Sequence, residues 1–227
     1  MSKKGGLGFR QLCLAGLLSL RPFYTSASSK PSGLLRVNHA LLSLAVRAGD
    51  TAIDATCGNG WDSLYLGRLV GLGGQAAAGR LVCIDLQQEA LAATRGRLEA
   101  EFGQGVVSRR VELVLGSHAE LPHAAEKESV AALCYNLGYL PGGGDKTVTT
   151  QAESTLQSLR LATSSGMIRR DGLITVMAYR HAPAEEEQVR AFLHQLSFRE
   201  WDVSYHRGLH GGGETQGPVL YSVRRRS

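Results

Sequence analysis

The sequence predicts an α/β protein built on a seven-stranded, mostly parallel sheet with helices on both faces. From residue 34 onward, stretches with apolar residues at helical spacing alternate with short apolar runs that are typical of buried strands. Strands and helices in alternation imply a parallel sheet that is covered on both faces. No internal repeat or second domain is evident, so we expect residues 34–227 to form one domain.

Each predicted element follows from its apolar spacing and from the residues at its ends. The helices are expected at 34–48, 61–70, 87–102, 150–164 and 184–196, and the last of these begins with an acidic run. The strands are expected at 50–56, 80–85, 110–116, 130–136, 172–179, 201–207 and 218–225. Between them, residues 71–79 (GLGGQAAAG) have the composition of a surface loop.

Residues 1–33 differ in composition from the rest of the chain. They contain five basic residues and no acid, and the first acidic residue of the chain is Asp50. Arginines spaced among apolar residues and followed by serines are typical of a mitochondrial or chloroplast transit peptide. A secretory signal, with LCLAGLLSL as its apolar core, and a disordered arm are the alternatives. The apolar run is too short to span a bilayer. We therefore expect a soluble protein of the mitochondrion or chloroplast that does not engage a membrane.

The net charge of +5 comes from this leader, because the remaining residues balance 20 basic against 20 acidic side chains. Such a balance argues against tight nonspecific binding of nucleic acid through charge. The cysteines show neither paired nor metal-ligand spacing, and the sequence predicts no metal site. Cys57, Cys83 and Cys134 fall in separate apolar runs, so we expect reduced, buried thiols.

The first predicted strand ends in a glycine loop, IDATCGNGWDS. Gly58 and Gly60 stand where the backbone turns into a helix and allows a ligand to approach. Ser63 occupies the third glycine position of a dinucleotide fingerprint, which disfavours NAD. Asp85 ends the second strand, where an acid accepts the hydroxyls of a ribose, and Asp54 could face the ammonium of an amino-acid moiety. The pair fits S-adenosylmethionine better than NAD, although Asp54 alone could be a structural acid.

The third predicted strand ends in LGSHAEL, which brings Ser117 and His118 to the same edge of the sheet. We expect an adenine ring to lie there. A single histidine in such a position is equally consistent with a surface or core residue.

The fourth predicted strand leads into the loop NLGYLPGGGDK. The side-chain carbonyl of Asn136 can accept a hydrogen bond from a nitrogen, and Gly138 leaves room for a main-chain carbonyl to do the same. Tyr139 offers a flat face for a flipped base, and Pro141 stiffens the loop. The segment resembles the Asn-Pro-Pro-Tyr loop of amine-methylating nucleic-acid methyltransferases, with Leu-Gly in place of Pro-Pro. The alternative is an ordinary turn that begins with asparagine.

Taken together, these motifs resemble a family of small bacterial methyltransferases once labelled rRNA methylases and now associated with methylating the aminomethyl group of 5-aminomethyl-2-thiouridine in tRNA. The resemblance covers about residues 36–198, and its most specific element is NLGYLPGGGDK. It implies a Rossmann-like class I methyltransferase fold that uses S-adenosylmethionine. The matching stretches are 54–63 (DATCGNGWDS), 84–87 (IDLQ), 116–121 (GSHAEL), 135–146 (YNLGYLPGGGDK) and 149–159 (TTQAESTLQSL).

The resemblance also implies roles for individual residues. Cofactor contacts are implied at Asn59, Asp62, Asp85, Gln87, Ser117 and His118, in addition to Asp54, Gly58 and Gly60 above. Acceptor-side roles fall to Asn136, Gly138 and Tyr139. Weaker substrate-side candidates are Pro141, Asp145, Lys146 and His181, of which Asp145 and His181 are possible proton acceptors. The chain departs from the family at YRHAPAEEEQ, where a Gly-His-Pro-Gly-Gly element is usual, and in the Gly-rich stretch from residue 208.

The implied reaction is methylation of the aminomethyl nitrogen at the tRNA wobble position, with the anticodon region of tRNA as the partner. Burial lowers the pKa of an amine and so favours the uncharged nucleophile. No general base is required, and the resemblance makes a homodimer plausible. Methylation of rRNA or of another amine acceptor is an alternative. A non-catalytic RNA-binding factor that retains the cofactor pocket is another.

Overall fold

The sheet has seven strands in the order β3-β2-β1-β4-β5-β7-β6. The computed structural model describes residues 33–74, 79–121, 127–138, 150–179, 183–208 and 217–227. The first five strands are parallel, while β7 runs antiparallel to both β5 and β6. The chain moves outward from β1 in one direction through β2 and β3, then returns to place β4 on the other side of β1. The predicted α/β architecture is therefore confirmed.

The elements have the following bounds. The helices are α1 (Gly33–Ala45), α2 (Trp61–Leu69), α3 (Gln88–Phe102), α4 (Gln104–Arg110), α5 (Ala152–Ser164) and α6 (Pro183–Leu193). The strands are β1 (Thr51–Asp54), β2 (Arg80–Asp85), β3 (Val111–Leu115), β4 (Val130–Asn136), β5 (Ile168–Ala178), β6 (Trp201–Arg207) and β7 (Val219–Arg225).

The core forms two layers, one on each face of the sheet, because successive strand side chains point to opposite faces. In β4, Leu133 and Tyr135 belong to the layer that packs on α5 and α6. Ala132 and Cys134 belong to the other layer, which includes residues of α1, α2 and α3. The central strands are buried on both sides, which explains why their sequences are continuous apolar runs.

Two sequence predictions were wrong in detail. Helix α4 was not predicted, because its seven residues are too few to show a helical period. Strand β5 starts at Ile168, not at residue 172, since it contains an irregularity at which the pairing with β4 shifts between Val130 and Ala132. Near this shift Asp171 has a φ of 61°, a conformation that breaks the apparent strand pattern in the sequence.

The prediction of reduced, buried thiols is confirmed for the described residues, where Cys57, Cys83 and Cys134 are all free and buried. Within the same residues, no helix is both long and apolar enough to cross a bilayer.

Candidate active site

The candidate site lies at the carboxyl ends of β1 and β4, where the strand order reverses. In open α/β sheets, ligands bind at this topological switch point. Two hydrogen bonds hold the strand ends together. The backbone N–H of Ala55 donates to the carbonyl of Cys134 at 2.9 Å, and the backbone N–H of Asn136 donates to Thr56 Oγ1 at 2.7 Å. The predicted cofactor loop and the predicted acceptor loop therefore leave the sheet side by side.

The glycine loop after β1 is held tightly against α3. Gly60 has a φ of 77° and directly precedes α2. A Cβ atom at this position would lie 2.8 Å from the Cα of Thr94, so no larger residue fits without movement of the backbone. Thr94 Oγ1 also donates to the carbonyl of Gly58 at 3.0 Å, and Arg97 Nε donates to the carbonyl of Asn59 at 2.7 Å. The loop is thus preorganised by packing and by hydrogen bonds.

Asp85 connects the glycine loop to the end of β2. Its Oδ2 accepts the backbone N–H of Gly58 at 2.9 Å, and its Oδ1 accepts the backbone N–H of Gln87 at 3.0 Å. An ionised carboxylate has about four acceptor positions, so two positions are left for further donors. Asp85 is only half-buried. This geometry suits acceptance of two adjacent hydroxyl groups, as predicted for a ribose.

Asp54 lies beneath the loop and is 1% exposed. Ser63 Oγ donates to its Oδ2 at 2.5 Å, and the backbone N–H of Thr56 donates to its Oδ1 at 3.3 Å. Burial raises the pKa of Asp54 from 3.8 to about 7, and the negative charge of Asp62 contributes to the increase. A cation placed nearby would favour the ionised form. The predicted contact with an ammonium group stays a prediction.

Asp62 connects the acceptor side to a residue that the sequence did not indicate. Asn136 Nδ2 donates to Asp62 Oδ2, and His39 Nε2 lies 2.8 Å from Asp62 Oδ1. The His39 ring stacks on that of Tyr65, with centroids 3.8 Å apart and planes inclined by 6°. Both carboxylate oxygens of Asp62 therefore face protein groups. His39 was missed because it lies in the middle of α1, outside every quoted motif.

Asn136 has one polar atom without a partner in the described part of the chain. Its Oδ1 is shielded from solvent and accepts no hydrogen bond there. An unpaired buried carbonyl costs about 1–3 kcal/mol, so this atom calls for a partner such as an ordered water or a bound ligand. A ligand that displaces the groups covering this atom could supply the missing hydrogen bond.

The two ends of the acceptor loop are fastened to each other. Gly138 has a φ of 146°, which favours glycine. Its N–H donates to Thr150 Oγ1 at 2.8 Å, and its carbonyl accepts the N–H of Thr150 at 3.0 Å. The buried carboxylate of Glu185 accepts from the hydroxyls of Thr150 and Thr155 at 2.9 and 2.8 Å. The sequence assigned no role to Thr150, which lies in the matching stretch 149–159, or to Glu185, which lies 35 residues further along the chain.

Ser117 and His118 follow β3 at the same edge of the sheet. Ser117 Oγ accepts the backbone N–H of Ala119 at 3.1 Å. His118 is buried, with its ring edge against Tyr135 and its Nε2 3.3 Å from Thr155 Oγ1. Burial lowers the pKa of His118 from 6.5 to about 4, so its imidazole is uncharged at neutral pH. The imidazole packs inside the protein, and the predicted adenine contact stays a prediction.

Five predicted residues have no described position, and one residue near the site was not predicted. Tyr139, Pro141, Asp145, Lys146 and His181 lie outside the described residues. Tyr179, which directly follows β5, was not predicted. Burial raises the pKa of its phenol, and the charge of Asp62 raises it further. The Tyr179 ring, 40% exposed, thus lies close to the acceptor side of the site.

Solved structures share this architecture over most of the chain. A "putative rRNA-methylase" from Clostridium thermocellum is 30% identical with a TM-score of 0.74, and the match covers 88% of this chain and 100% of that one. A "putative methyltransferase" from Streptococcus mutans, solved in complex with SAH, is 25% identical with a TM-score of 0.70, covering 88% and 99%. The predicted Rossmann-like class I methyltransferase fold is therefore confirmed.

Sequence comparison leads to the same group. An Arabidopsis thaliana protein named tRNA (mnm(5)s(2)U34)-methyltransferase, chloroplastic, is 31% identical over 169 residues. The match includes 73% of this chain, which spans 60% of the length of that relative. The family described as "Putative rRNA methylase" matches residues 81–220. Because that match covers more than half of the chain, and because the C. thermocellum structure is matched along its whole length, the chain belongs to this rRNA methylase family.

Proposed function

We propose that this protein transfers a methyl group from S-adenosylmethionine to the aminomethyl nitrogen of 5-aminomethyl-2-thiouridine at the tRNA wobble position. The observation that carries the proposal is the shielded carbonyl of Asn136, which has no partner among the described residues and lies beside the glycine loop. The name of the Arabidopsis relative supports the substrate, and the SAH complex of the S. mutans relative supports the cofactor.

The residues around the glycine loop fit the cofactor. Among the described residues, Asp85 accepts two backbone N–H groups, which leaves acceptor positions for the two ribose hydroxyls. Asp54 has a pKa near neutrality, so a neighbouring ammonium group would stabilise its ionised form. The half of the site next to β2 therefore matches the nucleoside, and the half next to β1 matches the amino-acid moiety.

S-Adenosylmethionine, when bound, supplies an electrophilic methyl group. The carbonyl of Asn136 accepts an N–H of the substrate amine and so directs the nitrogen lone pair away from itself, towards the methyl donor. The nitrogen forms the new N–C bond while the C–S bond breaks with its electron pair going to sulfur, and the methylated nitrogen then releases a proton to water. An alkylammonium has no lone pair, so removal of the substrate from water assists by lowering the amine's pKa. Most of the rate enhancement comes from this positioning.

We place the reaction in an organelle, with the tRNA anticodon region as the partner. The support is the acid-free leader of residues 1–33 and the chloroplast location in the name of the Arabidopsis relative. Because of the family resemblance, we also propose that the protein forms a homodimer.

The test is methyl transfer in vitro from labelled S-adenosylmethionine to tRNA carrying 5-aminomethyl-2-thiouridine, followed by nucleoside mass spectrometry. We expect methylaminomethyl-thiouridine and S-adenosylhomocysteine in equal amounts. Asn136→Ala should keep its affinity for S-adenosylhomocysteine within about twofold and lose about 100-fold or more in kcat. Methylation of rRNA but not of this tRNA would refute the substrate assignment, and equal loss of cofactor affinity would refute the role of Asn136.

A further inference from the structure

We propose that Asp62 and His39 are positioning residues that determine which end of the Asn136 side chain faces the substrate amine. This inference rests on the proposed function, because it concerns the acceptor half of the same site. The three side chains come from different elements, with His39 on α1, Asp62 in the first turn of α2 and Asn136 at the end of β4. Their contacts form a continuous chain from helix α1 to the amide of Asn136.

The carboxylate of Asp62 decides the orientation of the Asn136 amide. An asparagine side chain has a donor end and an acceptor end of nearly the same shape, and it can rotate to exchange them. An ionised carboxylate only accepts hydrogen bonds, so the NH₂ group of Asn136 must face Asp62. The carbonyl oxygen is then the end that points away, and it is the end left without a partner among the described residues. The reverse orientation would direct two donors towards an amine that must itself donate.

Asp62 occupies a position that suits an acceptor of hydrogen bonds. It lies in the first turn of α2, where the unpaired N–H groups and the helix dipole favour a negative charge. Its side chain is only 10% exposed, so a second oxygen without a partner would be costly. His39 Nε2 meets that need at 2.8 Å, and it must carry the proton because the carboxylate can only accept.

His39 is itself held in place on two sides. Its ring lies flat on the Tyr65 ring, and the Tyr65 hydroxyl donates to the main-chain carbonyl of His39 at 2.9 Å. The His39 side chain is 11% exposed. The hydrogen bond to a fixed imidazole sets the orientation of the Asp62 carboxylate. The Asn136 amide is therefore the group that must rotate to form the second hydrogen bond.

The first test separates this role from cofactor binding and from general folding. Steady-state kinetics with the modified tRNA, titration calorimetry with S-adenosylhomocysteine and thermal unfolding are measured for full-length variants. We expect Asp62→Ala to lower kcat about 100-fold and His39→Ala about tenfold, with cofactor affinity and the KM for tRNA within about threefold of the wild type. His39→Gln, whose amide can still donate to Asp62, should recover most of the lost kcat. Asp62→Asn, which keeps one acceptor, should lie between Asp62→Ala and the wild type.

The matched control is Ser108→Ala on α4, where the exposed hydroxyl donates to the carbonyl of Gly105 on the same helix. Its kcat should equal that of the wild type. If Asp62→Ala weakens cofactor binding while kcat at saturation is unchanged, Asp62 belongs to the cofactor half and the inference is wrong. Unchanged kcat in both His39→Ala and Asp62→Ala overturns it equally.

A second readout does not depend on turnover. In ¹⁵N-labelled protein, the side-chain NH₂ of Asn136 is assigned by its absence from Asn136→Ala. One of its protons should resonate downfield in the wild type because it bonds to a carboxylate, and the shift should disappear in Asp62→Ala. A spectrum that is the same in both proteins refutes the orientation. Absence of methyl transfer by the wild type would refute the proposed function, whereas this measurement would still decide the orientation.

Discussion

Replacing Asp54 with asparagine should change how the free energy of unfolding depends on pH. The reason is that the pKa of Asp54 differs between the folded and the unfolded protein. The pKa of His118 also differs between the two states, and its effect on stability has the opposite sign. Burial raises the pKa of Asp54 from 3.8 to about 7, and burial lowers the pKa of His118 from 6.5 to about 4. When the pKa of a group differs between the folded and the unfolded protein, stability depends on pH in the interval between those two pKa values.

The signs are opposite. Between pH 3.8 and about 7 the folded protein retains a proton on Asp54 that the unfolded chain has released, so stability decreases as pH rises. The slope is about 1.4 kcal/mol per pH unit, or ~4 kcal/mol in total. Between about pH 4 and 6.5 the unfolded chain protonates His118 and the folded protein does not, so stability increases with pH. That total is ~3 kcal/mol. In the wild type the two contributions nearly cancel over the shared interval.

Single variants should reveal each contribution, measured by urea unfolding of the full chain at several values between pH 4 and 8. Asp54→Asn retains the shape of the carboxyl group, and the stability of this variant should rise by about 3 kcal/mol, relative to the wild type, between pH 4 and 6.5. His118→Gln should show the reverse trend, falling relative to the wild type as pH increases. All other titrating groups are common to the three proteins, so the comparison removes them. A difference between wild type and Asp54→Asn that is constant with pH would refute the raised pKa of Asp54.

Three further predictions concern the cofactor loop and the acceptor loop. Asp85→Ala should weaken S-adenosylhomocysteine binding about tenfold to 100-fold in calorimetry because two hydroxyl acceptors are lost, with kcat at saturation nearly unchanged; normal affinity would remove the ribose assignment. Gly60→Ala should lower the unfolding free energy by roughly 1–3 kcal/mol, since φ is +77° and Thr94 is in the way. The control is Gly96→Ala, in an open position of α3, which should leave the unfolding free energy unchanged or slightly higher. Equal changes in the Gly60 and Gly96 variants would contradict backbone strain at Gly60. Glu185→Gln replaces one of the two oxygens that accept from Thr150 and Thr155 by a donor. This should loosen the end of the acceptor loop at Thr150 and raise the KM for tRNA. An unchanged KM together with normal unfolding would exclude a role of Glu185 in holding the loop.

Several site residues could be predicted because their signal is local in the sequence. The glycine loop, Asp85 and Asn136 each follow directly after an apolar run, and the carboxyl ends of parallel strands meet at one edge of a sheet. Helix α4 and the start of β5 could not be predicted, because a seven-residue helix and an irregular strand have no clear period.

Other residues could be found only from the structure. His39 reaches Asp62 across 23 residues of sequence and, through it, Asn136. Glu185 reaches Thr150 across 35 residues to fasten the loop base. The structure places the imidazole of His118 in the interior, and its predicted contact with the cofactor stays a prediction. Nothing in the local sequence distinguishes an inward-facing side chain from an outward-facing one when both follow a strand.

The sequence by itself determined the order of strands and helices, the glycine turn and the identity of the polar groups at the strand ends, because each depends on neighbouring residues and on backbone geometry. Only the tertiary structure decided which of those groups touch. A hydrogen bond requires atoms about 3 Å apart, and whether a histidine on α1, an aspartate on α2 and an asparagine on β4 meet that distance depends on how the two layers pack against the sheet.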